Sequence, residues 1–410
     1  MSKTTLLATI FLVACSREAS PLPATVSTAT DPVLQHHDIR LEQLPTPFAT
    51  PSAGNSPRVV KQPANAALHL PPGFHVSVFA DGLDDPRTML LAPNGDVLVA
   101  EPGAGRILVL RDANKDGVAE GRFTYAKGLD EPFGLALHAG FLYVGDENAV
   151  LRVPYTPGDT ASRGAMQKVA DLPGGGHSTR GVIFNRSGTK MYISVGSDSN
   201  VSAGEDPRRA AILELRPDGG GQRVFASGLR NPVGMAWEPV TGALWTAVNE
   251  RDGLGDELVP DYATDLKDGA FYGWPYSYLG THEEPRRRGE RPDLVARAIP
   301  PALLIQSHSA PLGIAFYDGA MFPSEYRGNL FVALHGSWNR SQRTGYKIIR
   351  IPMKNGRPTG GYDDFLTGWM LGEMNREVWG RPVCILVLAD GSMLISDDGA
   401  GKIWRVTYRK

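Results

Sequence analysis

One pattern of hydrophobic and polar positions recurs along most of the chain. Each copy has a turn rich in Gly and Pro, an apolar run, a Gly-centred turn, a second apolar run and often a third run that ends in Arg. Runs such as DVLVAE, FLYVGD and NLFVALHG are short, rich in β-branched and aromatic residues, and bounded by Gly, Asn or Asp, as is typical of β-strands. The six copies begin at Gly82, Gly128, Gly174, Gly228, Ser309 and Gly380.

Six such copies predict an all-β, six-bladed β-propeller. One four-stranded sheet cannot bury both of its faces alone, whereas six sheets packed around an axis can. A β-sandwich or a solenoid with the same strand spacing is the alternative, and the regular period and even copy number disfavour it. In a propeller, the turns that enter the innermost strands gather at one mouth of the central tunnel, so we expect binding residues there.

The first 63 residues lack the repeated pattern. Residues 1–14 combine Lys3 with an apolar run too short to cross about 30 Å of hydrocarbon, which predicts a signal peptide. LVAC, which ends at Cys15, resembles a bacterial lipobox and predicts lipidation of Cys15, with a plain secretory signal as the alternative. Residues 15–63 are rich in Pro, Ala, Thr and Ser and predict a disordered tether. Residues 64–410 would then form a periplasmic propeller, held to a membrane by its lipid anchor alone; Ser16 favours the outer membrane.

Composition narrows the function classes. With 42 Lys+Arg against 44 Asp+Glu, the net charge of -2 supplies no broad positive field, so we expect no nucleic-acid partner. Two cysteines exclude a disulfide framework and a Cys-ligated zinc cluster. Cys384 lies in an apolar run, which predicts a buried, unreactive thiol.

The turn before the first strand of each copy carries most of the candidate chemistry. Four arginines converging on one tunnel would repel one another without an anion, since unpaired buried charge is costly. The turns therefore predict a strongly anionic ligand. The alternative is that each arginine pairs with a nearby carboxylate, such as Asp85 or Glu377, and joins neighbouring blades. The candidate residues are Arg87, His177, Arg180, Arg230, Asn231, His308 and Arg381.

Several longer motifs resemble the quinoprotein glucose/sorbosone dehydrogenases. GLRNPVGMAW, VNERDGLGDELVPDY and GAFYGWPYSYLG resemble the family core, and HSAPLGIAFYDG, LHGSWNR and GRPV resemble its sorbosone dehydrogenase branch. The resemblance covers about residues 70–408 and implies a six-bladed propeller that binds pyrroloquinoline quinone (PQQ). It implies that Arg230 and Arg381 grip the PQQ carboxylates as bidentate forks. The expected cofactor-binding set is Arg180, Arg230, Asn231, His335 and Arg381.

The same resemblance implies a base and a metal. His177 matches the family's catalytic base, and an imidazole titrates near the pH at which a sugar hydroxyl must lose its proton. Calcium would be held by backbone carbonyls at Arg251 and Asp252, beside the quinone; an acidic surface loop is the alternative. The implied activity is oxidation of an aldose or a sugar-derived aldehyde, glucose-like or sorbosone-like, by hydride transfer to PQQ. A separate electron acceptor, a quinone or a cytochrome, would reoxidise the cofactor.

Two other functions remain open from the sequence. Six-bladed lactonases also hold calcium on the axis, and some propellers only bind a polymer or another protein.

The loop from Asp112 to Phe123 begins like an EF-hand, but Phe123 stands where that motif needs Glu. We therefore expect a tight turn between strands there, with an incidental calcium site as the alternative. No GxSxG, HExxH or Walker A motif occurs, which disfavours serine hydrolases, zincins and NTPases.

Overall fold

The computed structural model, which describes residue 1 and residues 34–409, has six antiparallel sheets arranged as the blades of a propeller. Five sheets have four strands and the sheet of blade 5 has five. The prediction of an all-β, six-bladed β-propeller is confirmed. Cys15 and most of the predicted signal peptide lie outside the described residues.

The strands of each blade follow one another outward from the axis. Those of blade 1 are Met89–Leu91, Val97–Glu101, Arg106–Arg111 and Gly121–Lys127, and those of blade 2 are Gly134–His138, Phe141–Asp146, Ala149–Pro154 and Gln167–Asp171. Those of blade 3 are Val182–Phe184, Met191–Val195, Ala211–Leu215 and Arg223–Ser227, and those of blade 4 are Asn231–Trp237, Leu244–Asn249, Asp261–Asp265 and Leu303–Ile305. Those of blade 5 are Pro311–Phe316, Leu330–Leu334, Lys347–Ile351, Tyr362–Leu366 and His36–His37, and those of blade 6 are Pro382–Val387, Met393–Asp397, Lys402–Tyr408 and Phe74–Ala80.

The N-terminal strand closes the ring. Phe74–Ala80 pairs antiparallel with Lys402–Tyr408, so the outermost strand of blade 6 comes from before blade 1 in the sequence. Six apolar clusters lie between successive blades, including one that joins blade 6 to blade 1 through Leu394, Ile403, Met89 and Val97. Each sheet is therefore buried on both faces, which is why the second strands read as almost continuous apolar runs.

The propeller axis is divided by an apolar plug. Four residues that each follow a turn before an innermost strand meet there: Phe133, Val233, Leu312 and Val383. On one side of the plug lies a channel of about 390 Å³, lined by innermost-strand residues such as Leu135, Ile183 and Met235. Cys384 borders this channel, and burial raises the pKa of its thiol to about 11. On the other side lies the polar cavity described below.

The segment before the propeller differs from the predicted tether. Residues 34–63 lie against the propeller, where His36–His37 extends blade 5 and Arg58–Val59 pairs in parallel with Glu377–Val378. Their Pro-rich, extended backbone exchanges hydrogen bonds with loops of the propeller, which composition alone does not reveal. Residues 15–33 of the predicted tether lie outside the described part of the chain.

Few elements interrupt the sheets. Two short hairpins pair Ser277–Tyr278 with His282–Glu283 and Met353–Lys354 with Arg357–Pro358. Three 3-10 turns and one short α-helix occur among the described residues, at Leu41–Gln43, Pro285–Arg287, Ser324–Tyr326 and Pro292–Arg297. Within that same part of the chain, no helix has the length and apolarity needed to cross a membrane.

Candidate active site

A polar cavity of about 370 Å³ lies at the axial mouth above the plug. The start of each innermost strand lies beside the end of the second strand, because the two are antiparallel. Turns from both strand ends therefore line the cavity. Its charged and polar side chains are those of Arg87, His177, Ser178, Thr179, Arg230, Asn231, Asn249, Glu250, Asp252, Asp261, His308, His335, Asn339 and Arg381.

Buried carboxylates hold several of the axial turns in place. At the end of the second strands of blades 1, 2 and 6, Glu101, Asp146 and Asp397 each accept the backbone N–H of a residue in the adjoining turn. In blade 6 that donor is Arg381, at 2.6 Å from Asp397 Oδ1. In these three blades, a carboxylate at the end of the second strand therefore fixes the adjoining turn. The residue whose backbone N–H it binds differs from blade to blade.

His177 lies on the cavity wall in a form suited to accept a proton. Its Nδ1 donates to the Ser197 carbonyl at 2.7 Å, so the neutral ring carries its hydrogen on Nδ1. Nε2 then remains an acceptor, and no described residue bonds to it. Burial, followed by the positive charge of Arg230, lowers the pKa of His177 to about 4. The imidazole is therefore neutral at physiological pH.

Asn231 lies beside His177 because Gly196 has no side chain. A Cβ at Gly196 would clash with both Asn231 Oδ1 and the Cβ of His177. Asn231 Oδ1 is buried and has no hydrogen-bond partner among the described residues. The side chain is thus turned to the cavity with unused capacity, as predicted from the turn pattern.

Arg230 and Arg381 present unused donors to the cavity. Arg230 Nη2 donates to Asp252 Oδ2 at 3.1 Å, its Nη1 bonds to no described residue, and its Nε is buried without a partner. Arg381 makes one long bond, from Nε to the His335 carbonyl at 3.3 Å. Neither terminal nitrogen of Arg381 contacts an acceptor of residues 34–409, and burial lowers the pKa of its guanidinium. Two under-bonded cations face one cavity, which is the arrangement an anionic ligand requires.

Arg180 is placed differently from the prediction. Its side chain is fully buried and donates to the carbonyls of His177, Thr179 and Pro173 rather than facing the cavity. The guanidinium lies under the loop of residues 173–179, and Arg180 is not among the residues that line the cavity. Arg180 therefore supports the loop that carries His177 and is not in position to contact a ligand in the cavity.

His335 is part of an ionic cluster that sequence reasoning did not find. Its Nε2 lies 2.8 Å from Asp398 Oδ2, and Arg87 Nη2 donates to the same oxygen at 2.8 Å. Burial lowers the pKa of His335 to about 4, against the opposing charge of Asp398. These partners outweigh burial and lower the pKa of Asp398. His335 thus borders the cavity as a neutral donor to a carboxylate that also restrains Arg87.

The wall opposite His335 is acidic. Asp252 contacts Arg230 and accepts from Asn339 Nδ2, while His308 bridges Asn339 and the Gly255 carbonyl at 3.1 Å and 2.9 Å. Burial opposes ionisation of Asp252, but His308 and Arg230 outweigh it and lower its pKa. Burial raises the pKa of neighbouring Asp261 to about 7.

The predicted calcium carbonyls are only partly available. The Asp252 carbonyl accepts two hydrogen bonds at 2.9 Å, from Asn200 Nδ2 and Arg286 Nη1, which occupy both of its lone pairs. The Arg251 side chain is buried between Glu250 and Glu284 and turned away from the cavity. Two oxygens beside Asp252 are available to a cation, because neither accepts a hydrogen bond from residues 34–409. They are the Arg251 carbonyl and the buried Glu250 Oε1.

A smaller side pocket of about 200 Å³ adjoins the cavity and shares Arg87, Ser178 and Thr179 with it. Asp85 and Glu131, from the axial turns of blades 1 and 2, line this pocket. Asp85 lies 3.5 Å from Arg87 Nε, and Asp252 pairs with Arg230, so the carboxylate pairing expected as the alternative occurs at two of the four arginines. Glu377 instead pairs with Arg58, which belongs to the segment before the propeller.

The loop that begins at Asp112 is a turn between two strands of blade 1, as expected. One oxygen each of Asp112, Asp116 and Glu120 lies within 4.8 Å of the others. This cluster is on the outer part of the blade and does not contribute to the cavity.

The residues missed from sequence follow the second strands. Asp398, Asn339 and Ser197 come directly after Met393–Asp397, Leu330–Leu334 and Met191–Val195 or within five residues of them. The signal was present, because antiparallel pairing places these positions beside the axial turns. Of the positions that follow second strands, the sequence indicated only His335, Arg251 and Asp252, and these through the family resemblance rather than the repeat.

Comparisons with known proteins identify the family. The TrAA12-like family model matches residues 68–266 and 290–409. An uncharacterised protein of Borreliella burgdorferi is 29% identical over 86% of this chain and 94% of its own length. The pyrroloquinoline quinone-dependent pyranose dehydrogenase of Coprinopsis cinerea is 25% identical over 81% of this chain, but only 53% of that longer protein is covered. The chain thus spans about half the length of that relative.

The solved structure of the PQQ domain of the Coprinopsis cinerea pyranose dehydrogenase, in its holo form, superposes with a TM-score of 0.72. It covers 84% of this chain and 98% of that domain at 24% identity, which supports the shared fold. The predicted resemblance to quinoprotein sugar dehydrogenases is confirmed at the level of the family, while the sorbosone branch stays a prediction. The chain belongs to the TrAA12-like family, among whose relatives are PQQ-dependent sugar dehydrogenases.

Proposed function

We propose that this protein is a PQQ-dependent sugar dehydrogenase that oxidises an aldose, a pyranose or a sugar-derived aldehyde. The observation that carries the proposal is the pairing of two under-bonded arginines with a neutral histidine in one axial cavity. The arginines suit a polyanion and the histidine suits proton abstraction. The family relationship adds that relatives with named activities use PQQ.

The residues present fit PQQ as a ligand. PQQ carries three carboxylates, and charge-assisted bonds from guanidinium groups to carboxylates are among the strongest in proteins. Arg381 and Arg230 have donors to spare, and Asn231 Nδ2, which bonds to no described residue, can also donate to a carboxylate. Arg87 is restrained by Asp398 and Asp85 and contributes positive charge to the same rim. When bound, PQQ supplies the electrophilic quinone carbonyl that takes up two electrons as hydride.

His177 would act as the general base. Oxidation of a hydroxyl-bearing carbon removes one hydride and one hydroxyl proton, and His177 Nε2 is the neutral acceptor on the cavity wall for that proton. The Ser197 carbonyl fixes the tautomer, and Arg180 holds the His177 carbonyl from below. An aldehyde substrate would react as its hydrate, which offers the same hydroxyl group.

We place calcium on the acidic wall. Calcium prefers hard oxygen ligands, and Glu250 Oε1 is a buried carboxylate oxygen without a hydrogen-bond donor among residues 34–409. The Arg251 carbonyl would be the second ligand, and Asp252 and Asp261 would add negative charge. This donor set replaces the predicted pair of carbonyls, since the Asp252 carbonyl is occupied by Asn200 and Arg286.

We further propose an electron acceptor and a membrane anchor for this protein. A separate quinone or cytochrome would accept the electrons, and a lipid on Cys15 would hold the propeller on the periplasmic side of a membrane. Trp338, half-exposed at the cavity rim, offers an aromatic face to a sugar ring.

Reconstitution tests the proposal. The purified protein would be titrated with PQQ in the presence and absence of Ca²⁺, and then assayed with a panel of aldoses, pyranoses and sorbosone using a dye acceptor. We expect saturable PQQ binding and dye reduction that needs both PQQ and sugar. Lactone hydrolysis without PQQ would indicate a lactonase-type hydrolase instead, and absence of both PQQ binding and turnover would indicate a binding propeller.

A further inference from the structure

The segment that we call the strap, residues 46–60, crosses the loops that form one side of the cavity. Its first contact is with the blade 4 loop, residues 251–257. Phe48 N donates to the Leu254 carbonyl at 2.8 Å, and Thr50 Oγ1 accepts from Asp256 N at 2.8 Å. A side chain at Gly255 would meet Thr50, so the two segments are in close backbone contact.

The second contact is with the blade 5 loop, residues 336–343, and it centres on Asn55. Asn55 N donates to the Trp338 carbonyl at 2.6 Å, and Nδ2 donates to the carbonyls of Arg340 and Ser341 at 3.0 Å and 3.2 Å. Arg343 Nη2 returns two bonds, to Asn55 O and Oδ1, at 2.8 Å and 2.9 Å. All four polar groups of Asn55 are therefore used to hold this one loop.

The same two loops meet inside the cavity. Asn339 of the blade 5 loop donates to Asp252 of the blade 4 loop, and His308 joins Asn339 to the Gly255 carbonyl. Neither loop belongs to a strand ladder. The loops also contact each other directly, through Arg340 and Ser341. Asn200 and Arg286 hold the Asp252 carbonyl, and the strap adds contacts to both loops on the outer side.

The far end of the strap is fixed to the connection between blades 5 and 6, where Arg58–Val59 and Glu377–Val378 form a separate two-stranded parallel sheet. Arg376 Nε donates to the Ser56 carbonyl at 2.9 Å, and Arg58 N and Val60 N donate to the carbonyls of Arg376 and Val378 at 2.7 Å and 2.9 Å. Asn55 is thus held from a segment that is separate from the two cavity loops and is anchored by the buried Val378. Ordering a loop in advance lowers the conformational entropy that a ligand must otherwise overcome.

We propose that the strap is a positioning element of the cavity, in which Asn55 holds Trp338 and Asn339 where a bound ligand requires them. Asn55 does not line the cavity, so it acts through the blade 5 loop. The kinetic part of this inference rests on the proposed function, whereas the loop ordering is independent of it.

The test compares Asn55→Ala with Ser52→Ala in the full chain. Ser52 is an exposed strap residue whose side chain makes no hydrogen bond to the described residues, so its variant is the matched control. Hydrogen–deuterium exchange of the PQQ-free protein would be followed in peptides covering 250–257 and 336–345. We expect about tenfold faster exchange in 336–345 for Asn55→Ala, a smaller rise in 250–257, and no change for Ser52→Ala. Asn55→Asp, which keeps the acceptor for Arg343, is expected to lie between them.

The ligand arm separates positioning from general stability. For Asn55→Ala we expect about a tenfold weaker PQQ affinity and a raised sugar KM, with kcat within about twofold. The melting temperature of the PQQ-free protein should fall by no more than about 3 °C, the amount that matches a tenfold rise in local opening. Unchanged exchange in 336–345 would overturn the proposal, as would a uniform rise across all blades with a matching fall in melting temperature. If the wild type binds no PQQ but the loop still exchanges faster in Asn55→Ala, the proposed function fails and the strap keeps its role.

Discussion

Arg381 provides a test in which stability and ligand affinity are expected to change separately. In the ligand-free protein its guanidinium makes one long hydrogen bond, at 3.3 Å, and lies over the Tyr346 ring at 5.9 Å. Together these contacts contribute about 1–2 kcal/mol. Removing the side chain also relieves a buried charge whose pKa is lowered by burial. We therefore expect Arg381→Ala to change the unfolding free energy of the PQQ-free protein by no more than about 1 kcal/mol.

The same substitution should strongly weaken PQQ binding. Each hydrogen bond from a charged group contributes about 1.5–3 kcal/mol, and a bidentate grip contributes two. The loss of about 3–6 kcal/mol corresponds to about a 10²–10⁴-fold rise in Kd. PQQ at 1,000 times the wild-type Kd stabilises the protein by about 4 kcal/mol, whereas a 100-fold weaker variant would gain only about 1.4 kcal/mol at that concentration.

The assay combines thermal melts with and without PQQ and a direct fluorescence titration. Arg288→Ala is the control, since that arginine is 76% exposed and makes only a 3.9 Å contact with Glu283. The reasoning would be refuted if Arg381→Ala destabilised the PQQ-free protein by several kcal/mol, or if it left the PQQ affinity equal to that of Arg288→Ala.

Three further predictions follow from the cavity. His177→Ala is expected to lower kcat by about 10²–10⁴-fold and to leave the PQQ affinity unchanged; loss of PQQ binding instead would make His177 a ligand. In an NMR titration of the PQQ-free wild type, His177 should stay neutral until the pH falls to about 4. His335 has a folded pKa of about 4, below its unfolded value, so it contributes stability above the unfolded pKa that is lost as the pH falls towards 4. His335→Gln should therefore lose less unfolding free energy than the wild type between pH 7 and 4.5, by up to about 3 kcal/mol in urea melts; equal losses would contradict the pKa. Arg180→Ala removes the bonds to three loop carbonyls and should cost about 2 kcal/mol or more of unfolding free energy and lower kcat more than PQQ affinity; a selective loss of affinity would return Arg180 to the cofactor site.

The propeller could be predicted from the sequence because each repeat carries its own turn residues and apolar strands. Each copy contains its turns and apolar strands within about 30 residues, and copies that follow one another in sequence form neighbouring blades of the ring. The closing strand Phe74–Ala80 and the strap have no such local signal. Both depend on partners more than 300 residues away, such as Lys402–Tyr408 and Glu377–Val378.

The site was predictable for residues that share one position in the repeat, and less so where side-chain direction decides. Arg230, Asn231 and Arg381 precede or begin an innermost strand and face the cavity as expected. Arg180 is equivalent to the plug residue Val233, two positions after Asn231 in the repeat, and a charged side chain there is directed into backbone carbonyls instead. Sequence spacing gives the turn but not the direction of the side chain, so Arg180 was assigned to the wrong side of its loop.

The charges of the axial turns also orient the reaction. The under-bonded arginines belong to blades 4 and 6, whereas the turns of blades 1 and 2 present Asp85 and Glu131 in the side pocket. Arg230 and Arg381 attract a tricarboxylate, whereas in the side pocket Asp85 offsets the charge of Arg87 and Glu131 adds a negative charge, so the tricarboxylate should sit towards Arg230 and Arg381. That placement leaves the side pocket, beside the His177–Thr179 turn, for a neutral hydroxyl-rich molecule. Carboxylates accept hydrogen bonds from hydroxyl groups, so the pocket favours an uncharged sugar over a sugar acid.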